Sequence, residues 1–235
     1  MDANMYINQN KELLSYFSEF DNEDIQELEV VEYDSNTTIL DNSNLTKNIF
    51  IIIKGICCVF KNLQNGKPFC YYKIANNDVI GLFNFVHSEE IDVYNKVITA
   101  TKVIALKIPK EDFLKYKDLY PSFYTKVIIE NVHRLHTALT VHVECKMYNS
   151  TINVVSYLIY SYKIFLKMFD SAYIGPVPIS ETRATISRFT GISIRSINNT
   201  IEFLKNLNYI TITKGKVNID KDQYLNLISY KLDNI

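Results

Sequence analysis

The chain has 235 residues, of which 47% are hydrophobic and 22% charged, a composition that supports a packed core and excludes a disordered chain. No apolar run reaches the roughly 20 residues that a membrane-spanning helix needs. The polar, acidic N-terminus lacks the pattern of a secretory signal. We therefore expect a cytoplasmic protein with one large domain or two ordinary ones.

The net charge of −1 conceals an uneven distribution. Residues 1–150 carry 15 Lys and Arg against 20 Asp and Glu, whereas residues 151–235 carry 10 against 6. A basic segment on an acidic chain is typical of a surface that contacts nucleic-acid phosphates. Charge alone is equally compatible with a merely solvated face.

The cysteines and histidines do not form a recognisable metal or disulfide pattern. The four cysteines are Cys57, Cys58, Cys70 and Cys145, and their spacing fits neither a zinc site nor a disulfide framework. Three of them lie in strand-like apolar runs, which predicts buried and reduced thiols. A redox-sensing role for Cys57, Cys58 or Cys145 stays open. His133 and His136 have the spacing of a shared metal ligand pair, but helix packing or solvation is the simpler explanation, so we expect no metal.

The first half of the chain changes from a helical to a strand pattern. Residues 5–31 read as helical, and Asp21 can cap a turn before Ile25. Their apolar face is formed by Leu13, Leu14, Phe17 and Phe20. From about Val30 to Ile108, short β-rich runs alternate with turn signals, including the hairpin pair Asn65-Gly66. This spacing predicts a sandwich or barrel. The expected strands are 37–40, 49–53, 56–61, 68–74, 93–99 and 102–108.

Helices return after Pro109. We predict a short helix at 110–117, a long helix at about 122–149 and a third helix at 150–169. The long helix would extend roughly 40 Å at 1.5 Å per residue, which calls for a partner along its length. A symmetric copy of the same helix is the economical partner. Its dimer contacts are expected from Ile128, Leu135, Leu139 and His142.

The stretch from Thr182 to Leu204 predicts a helix-turn-helix. Thr182 can cap the first helix, with Ser180 as the other candidate, and Gly191 allows the positive φ of the turn. Ser193 can cap the second helix. A buried stripe is expected along that helix from Ile197, Ile201, Leu204 and Leu207. A hairpin with Lys214-Gly215 at its tip and a terminal helix at 223–232 follow, which together predict a winged helix.

The exposed side chains of this module suit duplex DNA. Arg can bind guanine and Asn can bind adenine in the major groove. We predict base contacts from Ile194, Arg195, Ser196, Asn198 and Asn199. Contacts with the phosphate backbone are expected from Thr182, Arg183, Ser193, Lys214 and Lys216. An ordinary two-helix corner is the alternative, but caps, turn glycine, apolar stripe and hairpin agree in register.

At this stretch the chain resembles the Crp/Fnr family of bacterial transcription regulators. The matching segment reads T-R-x-x-I-S-x-F-x-G-I-S-x-x-S-I-x-x-x-I-x-x-L, and the strand run Ile49-Phe-Ile-Ile-Ile-Lys-Gly55 also resembles the family. The resemblance implies an α+β fold with a jelly-roll-like β-roll sensor domain at 1–120, a dimerisation helix at 121–149 and a winged helix-turn-helix domain at 150–235. It implies a homodimer on a near-palindromic operator, with RNA polymerase as a further partner.

The sequence departs from the family pattern where cyclic nucleotides bind. Family members that bind them carry a Glu after the β-roll glycine and an Arg some ten residues on. Here Leu82 follows Gly81, and Val93 or Tyr94 stands near the place of the Arg, while the first Arg of the chain is Arg134. We therefore predict no cofactor and no cyclic AMP. A more apolar effector pocket is expected from Tyr71, Tyr72, Gly81, Leu82, Phe83 and Tyr94.

The recognition segment also departs from the family, because Arg195-Ser-Ile-Asn-Asn199 stands where Glu-Thr-Val-Ser-Arg is common. The familiar family operator is therefore not expected. An enzyme is disfavoured because no nucleophile triad, phosphate-binding glycine loop or carboxylate pair is evident. The remaining alternative is an effector-binding module that responds to a small ligand, or to a redox or metal signal, without binding promoters.

Overall fold

The computed structural model describes residues 2–41, 47–62, 68–82, 95–169 and 173–235. Its contacts divide the chain into two compact units, Met1–Lys67 with Tyr72–His136 and Pro68–Tyr71 with Thr137–Ile235. The first unit contains the N-terminal helices and most of the strands, and the second contains the helix-turn-helix. The predicted α+β class is confirmed.

The N-terminal segment forms three short helices, α1 (Ala3–Gln9), α2 (Lys11–Tyr16) and α3 (Asn22–Glu27). Asn10 separates the first two, because its side chain accepts from the N–H groups of Glu12 at 3.0 Å and Leu13 at 3.1 Å and so starts a new helix. Asp21 caps α3 as predicted. The prediction of helix as far as residue 31 is wrong, since a strand begins at Glu29, and Leu14 is exposed rather than part of the apolar face.

Eight strands of the described chain build two four-stranded sheets. The strands are β1 (Glu29–Tyr33), β2 (Thr38–Leu40), β3 (Asn48–Lys54), β4 (Cys57–Asn62), β5 (Pro68–Ile74), β6 (Val79–Ile80), β7 (Asn95–Thr99) and β8 (Val103–Pro109). The sheet orders are β1-β8-β3-β6 and β2-β7-β4-β5, an arrangement that agrees with a sandwich rather than a closed barrel. Strands β1 and β6 were not predicted, and the expected Asn65-Gly66 hairpin lies outside the described residues.

The core of the first unit lies between strand β3 and the helices. Ile49, Ile51 and Ile53 point from β3 into one apolar cluster that also contains Phe17 and Phe123. The thiols Cys57, Cys58 and Cys70 are buried and free, as predicted. Burial raises the pKa of the Cys57 thiol, and the neighbouring Cys58 and Asp78 add to the shift. A thiol held in this neutral form is a poor redox sensor. The side chain of Cys145 lies outside the described set.

Three helices follow the strands, α4 (Lys110–Leu119), α5 (Pro121–Met147) and α6 (Ser150–Lys167), close to their predicted bounds. None of the helices in the described ranges is long and apolar enough to cross a membrane. Among the same residues, no three His, Cys, Asp or Glu side chains gather as metal ligands.

The second unit packs its elements around α6, whose residues from Ile152 to Tyr162 are all buried. These elements are β9 (Val177–Ile179), α7 (Arg183–Thr190), α8 (Ile194–Asn206), β10 (Thr211–Thr213), β11 (Lys216–Ile219) and α9 (Lys221–Asp233). The small sheet has the antiparallel order β10-β11-β9, and β9 was not predicted because Pro178 weakens its strand pattern. The terminal helix starts two residues earlier than predicted, at an Asp220 capping box.

Candidate nucleic-acid interface

Helices α7 and α8 form the predicted helix-turn-helix. Thr182, rather than Ser180, caps α7 by accepting from the N–H of Thr185 at 3.2 Å. Gly191 ends α7 at φ 75°, and its N–H donates to the Ser187 carbonyl at 2.9 Å. No atom lies within 4 Å of a Cβ built there, so the left-handed backbone alone requires the glycine.

Aromatic packing fixes α7 on the buried helix α6. Phe189 lies edge-on to Tyr157 at a centroid distance of 5.0 Å and stacks on Tyr160 at 5.5 Å. The hydroxyl of Ser187 donates to the carbonyl of Ile192 at 2.6 Å and closes the turn between the two helices. These contacts hold α8 in place against its neighbouring helices, as is required of a helix that reads DNA bases.

Helix α8 has one buried and one exposed face. Ile197, Ile201 and Leu204 are buried as predicted, and Thr200 joins them. Leu207 is 43% exposed, so its predicted place in the stripe is wrong. The helix ends at Asn206, and Asn208 turns the backbone away at φ 59°, which moves Leu207 off the helical period.

The predicted base-reading residues occupy the first two turns of α8. Arg195, Asn198 and Asn199 are exposed, and within the described chain their side chains make no hydrogen bond or ion pair. Ile194 is 46% exposed. Ser196 differs from these, because its hydroxyl lies 3.0 Å from that of Ser193 and its N–H donates to the same oxygen at 3.2 Å. Ser193 and Ser196 therefore interact with each other at the cap of α8.

The predicted phosphate contacts surround this face. Thr182 is exposed, while Arg183 is half-buried, and this burial lowers the pKa of its guanidinium. Lys214 and Gly215 form the hairpin tip with φ values of 50° and 76°, the successive positive pair of a tight hairpin turn. Lys214 and Lys216 are both exposed at that tip. Two flexible cations on a short wing are suited to phosphates rather than to bases.

The residues expected to line an effector pocket are only partly described. Tyr72 and Leu82 are buried, and Leu82, 5% exposed, belongs to the core cluster of the first unit. Gly81 has φ 102°, and a Cβ there would lie 2.7 Å from the carbonyl oxygen of Asn48. The side chain of Tyr71, together with Phe83 and Tyr94, lies outside the described residues.

Two cationic residues near this region were not singled out from the sequence. Arg134 of α5 places its guanidinium 5.4 Å from the ring centroid of Tyr72 and donates to the carbonyl of Val79 and to Asn131. Lys73 is buried on strand β5. Neither residue has a local signal in the sequence: Arg134 lies on a helix assigned to dimer contacts, and Lys73 stands in a run of tyrosines.

Helix α5 carries an exposed apolar seam. Among the residues predicted to form dimer contacts, Ile128 and Leu139 are exposed, Leu135 is half-buried, and the side chain of His142 lies outside the described residues. Val132 is also exposed. The spacing of 4, 3 and 4 from Ile128 through Val132 and Leu135 to Leu139 is that of a coiled-coil seam.

Comparison with known proteins bears on the fold of the chain. Residues 30–118 match the model of the cyclic nucleotide-binding domain. No curated protein matches the sequence. Solved structures match at low identity but over most of their length. FixK2 from Bradyrhizobium japonicum has a TM-score of 0.68 at 11% identity, covering 85% of this chain and 96% of its own.

Two further structures give the same result. A Crp/Fnr-family transcriptional regulator from Thermus thermophilus has a TM-score of 0.68 at 14% identity, covering 86% of this chain and 98% of its own. A cyclic nucleotide-binding domain protein from Listeria monocytogenes has a TM-score of 0.65 at 16% identity, covering 92% and 98%. The chain therefore shares the fold of the Crp/Fnr-family transcriptional regulators, and its residues 30–118 are similar to the cyclic nucleotide-binding domain.

Proposed function

We propose that the chain is a sequence-specific, DNA-binding transcription regulator of the Crp/Fnr type and not an enzyme. The observation that carries this proposal is the exposed face of α8, where the side chains of Arg195, Asn198 and Asn199 lack hydrogen-bond partners within the described chain. Their helix is capped, and Phe189 anchors its neighbour α7 to the buried helix α6. Polar groups held open in this way are suited to base edges in the major groove.

The regulator acts as a homodimer on a near-palindromic operator. The support is the exposed seam of α5, which leaves Ile128, Val132 and Leu139 in contact with water. A symmetric copy of this helix would bury the seam against itself. Two copies of α8 would then contact half-sites about one helical turn apart. RNA polymerase is proposed as a further partner, and the protein is proposed to act in the cytoplasm.

The effector is proposed to be something other than a cyclic nucleotide, or to be absent. Leu82 stands where the family carries its ribose-binding Glu, and it is packed into the core. An aliphatic side chain there cannot accept a hydrogen bond from a ribose hydroxyl. The chemistry of Leu82 supports the proposal that no cyclic nucleotide binds at this position.

Salt dependence of binding to duplex DNA tests the DNA assignment. Arg183, Lys214 and Lys216 give six phosphate contacts in a dimer, which predicts a slope of about −5 for log K against log salt. Replacing Lys214 and Lys216 by Ala should reduce the slope to about −2, because four contacts are lost.

The matched control replaces Lys102 and Lys115 by Ala. Both are surface lysines of the first unit that pair with carboxylates, at 2.7 Å and 2.8 Å. The charge change is identical, so the slope should stay at the wild-type value. Absence of binding at low salt would exclude the DNA function and favour an effector-binding module that does not act at promoters. An unchanged slope in the Lys214 and Lys216 variant would exclude the wing contacts.

A further inference from the structure

We infer that the recognition helix α8 reads a half-site that contains a guanine and is rich in A·T pairs. Ile194 contacts the methyl group of a thymine. Asn198 or Asn199 binds an adenine, and Arg195 binds the guanine. This inference rests on the proposed DNA function and specifies its target. The four side chains are exposed at the start of α8, and they offer three different chemistries: an aliphatic surface, two amides and a guanidinium.

Ile194 is the most informative of the four. It is the first residue of α8 and is 46% exposed, while the core contacts of the helix come from Ile197, Ile201 and Leu204. About half of this β-branched aliphatic side chain faces solvent, and it is not among the buried residues of the helix. In the major groove the C5-methyl of thymine is the apolar group that an aliphatic side chain can contact. Ile194 therefore selects a T·A pair.

The amides and the guanidinium add two further preferences. Asn can bind N6 and N7 of adenine at once, and Arg can bind O6 and N7 of guanine. Recognition of cytosine would need a carboxylate to accept from N4. The carboxylate of α8, Glu202, lies two turns away from Ile194 and is 3.5 Å from Lys205. Ser193 and Ser196 bond to each other across the cap. The remaining donors and acceptors thus favour adenine and guanine.

The helix geometry sets the spacing of these preferences. Ile194 with Asn198, and Arg195 with Asn199, are pairs four residues apart, which lie about 6 Å apart along the helix axis at 1.5 Å per residue. Base pairs are stacked about 3.4 Å apart. Because a helix in the major groove is inclined to the DNA axis, each pair of side chains contacts base pairs at most about two steps apart. The four side chains therefore read neighbouring base pairs of one half-site.

A modified-base experiment tests the inference. The full-length chain first selects duplexes from a random pool, and each thymine of the selected half-site is then replaced by uracil. This change removes one methyl group and leaves the hydrogen-bonding pattern intact. At the thymine that Ile194 contacts, uracil should lower the affinity of the protein for the duplex about fourfold, the value expected for one buried methyl group. Ile194→Ala should bind the thymine and uracil duplexes equally, with its unfolding midpoint in urea unchanged.

A second modified base tests the amides. Replacing adenine by 7-deazaadenine removes the N7 acceptor, and should weaken wild-type binding at the position that Asn198 or Asn199 reads. Asn198→Ala or Asn199→Ala should abolish that sensitivity. The inference is overturned if uracil is tolerated at every position, or if the selected half-site contains only G·C pairs. Failure to enrich any sequence, or to bind DNA at all, would instead overturn the proposed function itself.

Discussion

Two asparagine pairs in this chain show opposite uses of the same side chain. Asn76 and Asn77 form a turn in the first unit and are each 4% exposed. The side chain of Asn77 accepts from Asn10 at 3.0 Å and donates to Glu12 at 2.6 Å. Asn198 and Asn199 on α8 are exposed, and their side chains make no hydrogen bond within the described chain. A buried amide must find its partners inside the chain, whereas an exposed one is available to another molecule.

The buried pair belongs to a closed network. The N–H of Asn77 donates to the carbonyl of Ile52 at 2.7 Å, and the N–H of Ile52 donates back to Asp78 at 2.9 Å. The hydroxyl of Tyr16 donates to the Asn77 carbonyl at 3.3 Å, and burial raises the pKa of that hydroxyl. The turn therefore joins helix α2 to strand β3, and its hydrogen bonds stabilise its conformation. On α8, packing positions the backbone, but the polar side chains are left open.

The exposed seam of α5 is the apolar counterpart of the exposed asparagines, because Ile128, Val132 and Leu139 also face solvent. Disrupting this seam should produce the largest effect on operator binding. Leu139→Glu removes a leucine that is 64% exposed. In a symmetric dimer both copies lose it, a cost of at least about 3 kcal/mol before the buried charges are counted. We expect a monomer by sedimentation and a loss of operator binding of more than about a hundredfold, the factor that corresponds to about 3 kcal/mol.

The control for this variant is Leu232→Glu, at an exposed leucine near the end of α9 that is outside the seam. It should stay dimeric and bind the operator as the wild type does. A dimeric Leu139→Glu variant would show that α5 is not the dimer contact.

Disrupting the buried asparagine network should produce the second largest effect. Asn77 has φ 66°, so Asn77→Ala adds about 1–2 kcal/mol of backbone strain and about 1–3 kcal/mol for the unpaired Asn10 and Glu12 groups. We expect the free energy of unfolding in urea to fall by about 3 kcal/mol, within the summed range of about 2–5 kcal/mol. Asn77→Gly should lose only the hydrogen-bond part, because glycine accepts the backbone conformation. Equal losses of unfolding free energy in the Ala and Gly variants would show that the backbone at Asn77 carries no strain. As a control, Asn199→Ala should leave the free energy of unfolding unchanged.

The helix-turn-helix could be predicted from the sequence because its determinants are local. Thr182, Gly191 and Ser193 each act on backbone atoms within five residues, so their spacing alone places both helix ends. Leu207 was assigned wrongly because the helical period continues past the residue where the helix stops. Asn10 was missed as a break because the apolar pattern on either side of it stays helical.

The remaining differences come from tertiary contacts. Strand β9 depends on pairing with β11 across some 40 residues of sequence, and Pro178 hides it because proline weakens the strand pattern. Lys73 and Arg134 are placed by the fold of the first unit, and nothing near them in the sequence indicates burial or contact with Tyr72. A pattern of residues predicts which groups a helix exposes, but not which distant groups a fold brings together.

The smallest expected effect comes from substituting Arg195 on the exposed face of α8. Two substitutions distinguish the contribution of its charge from that of its planar guanidinium geometry. Arg195→Ala should reduce discrimination between the selected operator and random DNA by about 1–3 kcal/mol, because it removes one bidentate base contact. Arg195→Lys keeps the charge but loses the planar fork, so binding to random DNA should be unchanged while discrimination still falls. Both variants should unfold at the wild-type urea concentration, since the side chain makes no hydrogen bond or ion pair within the described residues.

Competition of labelled operator against random duplex at fixed salt measures the difference in discrimination between the two DNAs. Equal losses on operator and random DNA in Arg195→Ala would assign Arg195 to the phosphate backbone, and the exposed amides of Asn198 and Asn199 would then carry the sequence preference without it.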